Sequence, residues 1–518
     1  MRGLYADVKK KGSGIYRPWL AKRWWGCDAG SMNATLLVIL ISLTLRLALA
    51  AGSGLGIDES YMVAASSHFA ASYFDHPLAS WWLELGAQHL FGSALPVVVR
   101  LPFVLLSGVS SWLLYIVTKR LFSERAGFLA VVAYSIAPVF SLAFGTWVLP
   151  DGPLDAALLA FIYALIRALG LPEEKPAPLW WVLAGLFAGL AMLSKYNAGL
   201  VLVGAALAVV FDPSGRKQLV QPWPWLGAAL ALILFSPVVV WNVQHHWISF
   251  DYQGGRALGL RLRPLMPLTI WGGEALYVLP WLWLPMVWVM LCGFRAGPVK
   301  RVSWLLAWAA ALPVFLFAVV GLWSHTRILY HWAAPGYLML FPLLGDWATR
   351  QKQKLVRNVA LASGSLLVLA TVLIVAFTQL GLPEALAHAF KPGKSPMLQA
   401  ADWTSIGPDL PPGIAAIAAQ RWFDAGKIGY ALRRDAITTP VTVFGDQPHQ
   451  FGITTPLASL IGKTILLIAM PGNPNQTYER FASDFADLRA GPTLNVIDHG
   501  VLLLKIPTFI GTDLQKIP

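Results

Sequence analysis

Residues 34–62 read "ATLLVILISLTLRLALAAGSGLGIDESYM", an apolar run interrupted only by Arg46 that ends in the acid pair Asp58 and Glu59. At 1.5 Å per residue a helix over 34–54 is long enough to cross a hydrocarbon core of about 30 Å. Runs of this kind recur along most of the chain. The whole sequence is 57% hydrophobic and only 13% charged, where a soluble domain is about one quarter charged, and its mean hydropathy is +0.60. These figures point to an integral membrane protein built as one helical bundle.

Apolar runs separated by charge, Pro or Gly place spans near 34–54, 96–118, 126–147, 154–170, 178–193, 197–211, 224–243, 271–293, 303–323, 332–348 and 358–380. The expected fold is therefore an all-α polytopic bundle of about eleven transmembrane helices. Lys and Arg collect on alternate connections: Lys9 to Arg23 before the first span, then Lys119, Arg120 and Arg125, then Lys175, then Arg216 and Lys217, then Arg295 to Arg301, then Arg350 to Arg357. Short cytoplasmic loops retain such residues, so the N-terminus is expected inside. The opposite connection 55–95 has no Lys or Arg at all.

An odd number of spans puts the tail outside. There the long apolar runs stop, and "TPVTVFG", "KTILLIAM" and "GVLLLKI" read as short strands. Three regions follow: a cytoplasmic basic leader (1–33), a membrane domain (34–380) with juxtamembrane helices in its outer loops, and a small extracytoplasmic α/β domain (381–518). The expected location is the inner (plasma) membrane, crossed many times, with the tail periplasmic. The net charge of +13 is spread over short clusters and forms no single patch, so no nucleic-acid partner is expected. Cys27 and Cys292 fall near the cytoplasmic face and build no disulfide framework. The first apolar run lacks a small-residue cleavage site, so no cleavable signal is expected.

Nearly every unusual polar group falls on the outer face. Charges near hydrocarbon cost roughly 2.5–3.5 kcal/mol each on insertion scales, and those retained usually face a cavity. In "GIDESYM" Asp58 is either a helix cap or a general base. In "YFDHPLASWW" the aromatics suit the interface, while Asp75 and His76 offer ligands for a divalent ion or an imidazole for an anion. Asp151 in "VLPDGPLDAAL" is a cap or a second carboxylate facing Asp58. Lys195 in "LSKYNAGL" snorkels or clamps a phosphate. Arg327 and His331 in "RILYHWAAPGYLML", with Arg256, Arg261 and Arg263, add cations where the charge rule favours none, which suggests an anionic ligand such as a lipid phosphate.

Taken together, "DES" after the first span, "YFDHP", "LPD" before the fourth span, "LSKY" after the fifth and "HWAAPGYL" late in the bundle resemble the membrane glycosyltransferases of the GT-C class. The branch they are most similar to contains the protein O-mannosyltransferases and the lipid A aminoarabinose transferase. The likeness covers about residues 30–350. It implies transfer of a sugar, with inversion, from a polyprenyl-phosphate donor to an acceptor hydroxyl on lipid A, another glycan, a lipid or a protein at the outer face. It implies Asp58 as general base and Asp151 as a second essential acid. Asp75 and His76 take the place of a metal- or phosphate-binding pair, and Lys195 matches a lysine near the donor phosphate; Tyr196 beside it, and Arg256, Arg327 and His331 from the residue reading above, are the further candidates for binding that phosphate. His76 replaces a lysine of some relatives and Tyr196 a glycine, departures that bear on the metal and on the sugar.

No nucleotide cofactor is expected, because a lipid-phosphate donor arrives activated, and no P-loop or dinucleotide fingerprint is present. A single chain is expected to suffice. A transporter or flippase of a lipid-linked anion is the alternative; it calls for midplane charges and inverted repeats, and neither is visible.

Overall fold

The computed structural model describes residues 32–259, 261–381, 397–469 and 474–517. The basic leader up to residue 31, with Cys27, and the expected start of the tail domain at 382–396 lie outside the described residues.

The apolar runs fold as helices. α1 (Met32–Gly52) is followed by two short outer helices, α2 (Ile57–Ala65) and α3 (Ala79–Phe91), then by α4 (Pro96–Leu121) and α5 (Glu124–Ile136). Next come α6 (Asp151–Ala168), α7 (Leu179–Ser194), α8 (Ala198–Phe211), α9 (Pro222–Gln244), the short outer helix α10 (Ile248–Gly255), α11 (Met266–Val278), α12 (Pro280–Ala296), α13 (Arg301–Val320), α14 (Ala334–Thr349) and α15 (Gln353–Leu380). Among the described residues five helical stretches qualify by length and composition as membrane spans, one of them Pro280–Val320, or six if α8 and the turn bent 92° after it count as one. This is a mostly helical, multi-span membrane protein. Small residues let its helices touch: a Cβ on Gly185 of α7 would lie 2.0 Å from the Gly227 carbonyl oxygen of α9, the close approach that glycine permits in membrane bundles.

Two expected runs are broken. The run 126–147 is helical only to Ile136; Ala137 turns extended before Pro138, and a π-helical turn follows at Val139–Phe144. The run 271–293 divides at Leu279, whose φ is +86°. Pro280 is the cause, since it excludes α geometry from the residue before it and brings no N–H.

The tail is a mixed sheet with helices. β1 (Ala416–Ala419) leads into α16 (Trp422–Arg434), followed by β2 (Val441–Val443), β3 (Ile465–Ile468), β4 (Phe485–Ala490), β5 (Leu494–Asp498), β6 (Val501–Ile506) and β7 (Thr508–Leu514). The main sheet runs β2-β1-β3-β7-β4, with β1 parallel to both neighbours, and β5 and β6 form a separate ribbon. The tail is not merely tethered. Leu55, Tyr61, Val63 and Trp81 share one apolar core with Ile417, Ile428, Ala431 and Val441, and a Cβ on Gly426 of α16 would lie 2.8 Å from the Tyr61 Cα of α2. Lys427 donates to the carbonyls of Leu55 (3.1 Å), Gln399 (3.1 Å) and Ala401 (2.9 Å). Burial lowers its pKa to about 8, with no carboxylate in hydrogen-bond contact. Gly426→Leu should overpack this contact and cost about 1–3 kcal/mol, read as a lower unfolding midpoint of the solubilised protein.

Candidate active site

The site is assembled around a buried ion pair. Arg100 of α4 donates from Nε to Glu59 Oε1 (2.7 Å) and from one terminal nitrogen to Glu59 Oε2 (2.6 Å), and it also reaches the carbonyls of Ala50, Ser53 and Gly54. Glu59 in turn accepts from the backbone N–H of Gly56 (2.9 Å) and of Val148 (2.9 Å). One pair therefore ties the end of α1, the start of α2 and the loop before Asp151 together.

Glu59, not Asp58, satisfies the start of α2. Asp58 sits in the first turn with its carboxylate spared from capping, and among the described residues no protein donor bonds it. Its side chain is exposed to solvent, although protein atoms crowd around it. Burial raises its pKa to about 6, with Asp75 and Glu59 adding to the rise and His449 and Arg256 opposing it.

Asp151 opens α6 and is only 1% exposed. Both of its oxygens accept from Lys195 Nζ at 2.8 Å, so it is neither a cap nor a free carboxylate. His76 and His331 lie in the electrostatic reach of this pair and of Arg256. Burial, and after it the nearby Lys195 charge, lower each imidazole pKa to about 4. Nδ1 of His76 has no hydrogen-bond partner among the described residues. Arg256 stacks over Tyr252 (4.3 Å) and Trp332 (5.1 Å) and makes no ion pair among the described residues. Tyr196 packs its ring on Phe250 at 5.3 Å. The structure thus gathers Asp58, Asp75, His76, Asp151, Lys195, Arg256 and His331. Arg327 stands exposed on its loop, with no bond to the group.

Asp75 is committed to the protein. His449 Nδ1 lies 2.7 Å from its Oδ1, and the Tyr61 hydroxyl donates to its Oδ2. Burial pushes Asp75 up, but His449, His76 and Tyr61 outweigh it and hold its pKa below the ordinary value. Gln450 completes the junction: its N–H bonds the Tyr61 oxygen (3.0 Å) and its Oε1 takes the Phe74 N–H (2.9 Å). Among the described residues no three His, Cys, Asp or Glu side chains gather to hold an ion. With both Asp75 oxygens taken, the expected Asp75 and His76 ligand set does not fit a metal cage.

Arg100, Tyr61 and His449 escaped the sequence reading, and Glu59 was noted there without its pairing role. The one available signal for His449 was its place in the loop leaving a parallel strand, where α/β sheets present functional groups.

Residues 75–241 match the family model described as dolichyl-phosphate-mannose-protein mannosyltransferase. Over that segment, less than half of the chain, it is similar to this family of GT-C glycosyltransferases. It is 24% identical over 240 residues, 44% of its length and 41% of the relative's, to undecaprenyl phosphate-alpha-4-amino-4-deoxy-L-arabinose arabinosyl transferase 1 of Proteus mirabilis. It is 25% identical over 296 residues, 54% of its length and 58% of the relative's, to the lipid A galacturonosyltransferase RgtD of Rhizobium johnstonii. The chain thus spans about half the length of the curated relatives it matches. In fold it is similar to ArnT of Cupriavidus metallidurans bound to undecaprenyl phosphate, with a TM-score of 0.61, 16% identity and coverage of 93% of this chain and 98% of that one.

Arg100→Leu should strand Glu59 as an uncompensated buried charge and cost about 3–5 kcal/mol. The double variant Arg100→Leu/Glu59→Leu should recover part of that loss in the same thermal unfolding assay.

Proposed function

We propose that the protein transfers a sugar, with inversion, from a polyprenyl-phosphate donor to a hydroxyl of a lipid A or lipopolysaccharide acceptor at the outer membrane face. The observation that carries the reading is a separation of roles: a carboxylate, Asp58, that no donor bonds among the described residues, within electrostatic reach of Arg256, a cation stacked on aromatic rings. Support for the substrates comes from the printed activities of the relatives. Support for eleven spans, an inside N-terminus and an extracytoplasmic tail comes from the apolar runs and the placement of Lys and Arg.

Asp58 removes the acceptor proton as that oxygen bonds the anomeric carbon from the face opposite the phosphate. The carbon–oxygen bond to the donor phosphate breaks, and its electron pair leaves with the phosphate. A base with a pKa of about 6 is ionised at neutral pH yet close enough to it to accept a proton usefully.

The departing phosphate needs positive charge already in place. Arg256 is the available cation, held by aromatic faces and ion-paired to no acid among the described residues. Lys195 contributes a charge partly offset by Asp151, so Asp151 acts through it, fixing the ammonium and sharing it with the phosphate. His76 is neutral and offers its unpartnered ring nitrogen to the same group. The tail backs α2, the helix that carries Asp58, which suits it to meet the acceptor.

With purified donor and acceptor, Asp58→Asn should lower kcat by about 10²–10⁴-fold, the usual worth of a general base, while donor binding is kept. Wild-type turnover by this variant would refute the assignment. The sign of the pH dependence follows from the raised pKa: deprotonated Asp58 is the active form, so kcat/KM should fall below about pH 6 by about tenfold per unit and level off above it. Arg256→Ala should raise donor KM more than Arg327→Ala does, measured on the same donor.

A further inference from the structure

α15 leans on the bundle without filling the space beside it. Only Ser363 and Thr371 of its residues are buried, and two cavities of ≈ 200 Å³ and ≈ 220 Å³ lie along its inner side. Each exceeds the roughly 150 Å³ of an apolar protein cavity that takes up benzene. The first is walled by Arg46 and Leu49 of α1, Ser135 of α5, Ser141, and Gly364 and Val368 of α15.

Gly364 keeps that space open. A Cβ there would meet only Ile136 Cγ2, at 4.0 Å, whereas at the Gly185 crossing a Cβ would strike backbone at 2.0 Å. The glycine therefore serves no close helix contact. One level of the wall is polar: Ser135 Oγ is buried without a hydrogen-bond partner, and Arg46 reaches Ser107 Oγ (3.2 Å) and the Ser141 carbonyl (3.3 Å). Arg46 and Leu49 stand in the last two turns of α1, about 5–10 Å below its end at 1.5 Å per residue. The chain then needs only Ser53–Ile57 to reach Asp58.

Hydrocarbon walls with one hydroxyl and guanidinium level suit an alkyl chain that carries an oxygen function. We propose that this cavity seats one acyl chain of the lipid-anchored acceptor and so aligns its sugar under Asp58. This rests on the proposed transferase reading and adds the seat of the acceptor.

The test fills the cavity with Gly364→Leu and, separately, Val368→Trp, two positions on one wall in case either variant fails to fold. Hexa-acylated lipid A retained by the solubilised full chain is read by native mass spectrometry. Kinetics are run with lipid A and with its deacylated saccharide. The expected result is loss of the lipid A adduct and a KM for lipid A raised about tenfold, the worth of roughly two buried methylenes. kcat, the deacylated acceptor and the unfolding midpoint should not move. Unchanged lipid A retention, loss of bulk phospholipid alone, a raised KM for the donor instead, or equal damage with both acceptors would overturn the proposal. Because retention is read without turnover, it stands or falls separately from the Asp58 assignment.

Discussion

The bidentate pairing of Glu59 with Arg100 is the constraint on which the outer end of the bundle depends. Two opposite charges with side chains 4% and 1% exposed are tolerable only when each is fully bonded. The bonds that satisfy them belong to three separate segments: the carbonyls of Ala50 and Ser53 at and just past the end of α1, the N–H of Gly56 that caps α2, and the N–H of Val148. Satisfying the pair therefore brings the two acid-bearing loops together. Asp58 adjoins Glu59 in sequence and Asp151 lies three residues beyond Val148, so both inherit their positions from an interaction in which neither takes part.

Around that anchor, charge is divided by what holds it. Lys195 has a carboxylate partner, Arg256 has aromatic faces, and Asp58 has no hydrogen-bond donor among the described residues. An active site that ionised all its groups independently would pay a desolvation cost for each. Here the paired groups are fixed, and the unpaired ones are those left to meet substrate charge. Asp75 belongs to the fixed set, since it bonds His449 across 374 positions and links the first outer loop to the tail.

The helices were legible because an apolar run of about twenty residues has one stable form in lipid. The breaks were legible in principle at Pro138 and Pro280, yet an apolar count alone runs straight through a proline. The acids and Lys195 stood out as costly charges at span ends. Their partners did not, because Arg100 reads as one more residue of an apolar span, and nothing local tells that it faces Glu59 41 positions away. Strands β2, β3 and β6 of the tail were also visible, but not its attachment. The small and apolar face of α16 announces burial without naming α2 as the surface that buries it.

That attachment sets an order of assembly. α2 ends at residue 65, and the helix whose backbone rests on it ends at residue 434. At roughly 5–20 residues per second, a ribosome needs on the order of twenty seconds to over a minute to make the intervening chain. Throughout that interval the face of α2 around Tyr61 lacks its packing partner and the Leu55 carbonyl lacks Lys427. The site around Asp58 is thus among the last parts of the molecule to be completed, so a nascent chain inserted in the membrane stays catalytically incomplete until its tail has arrived and folded.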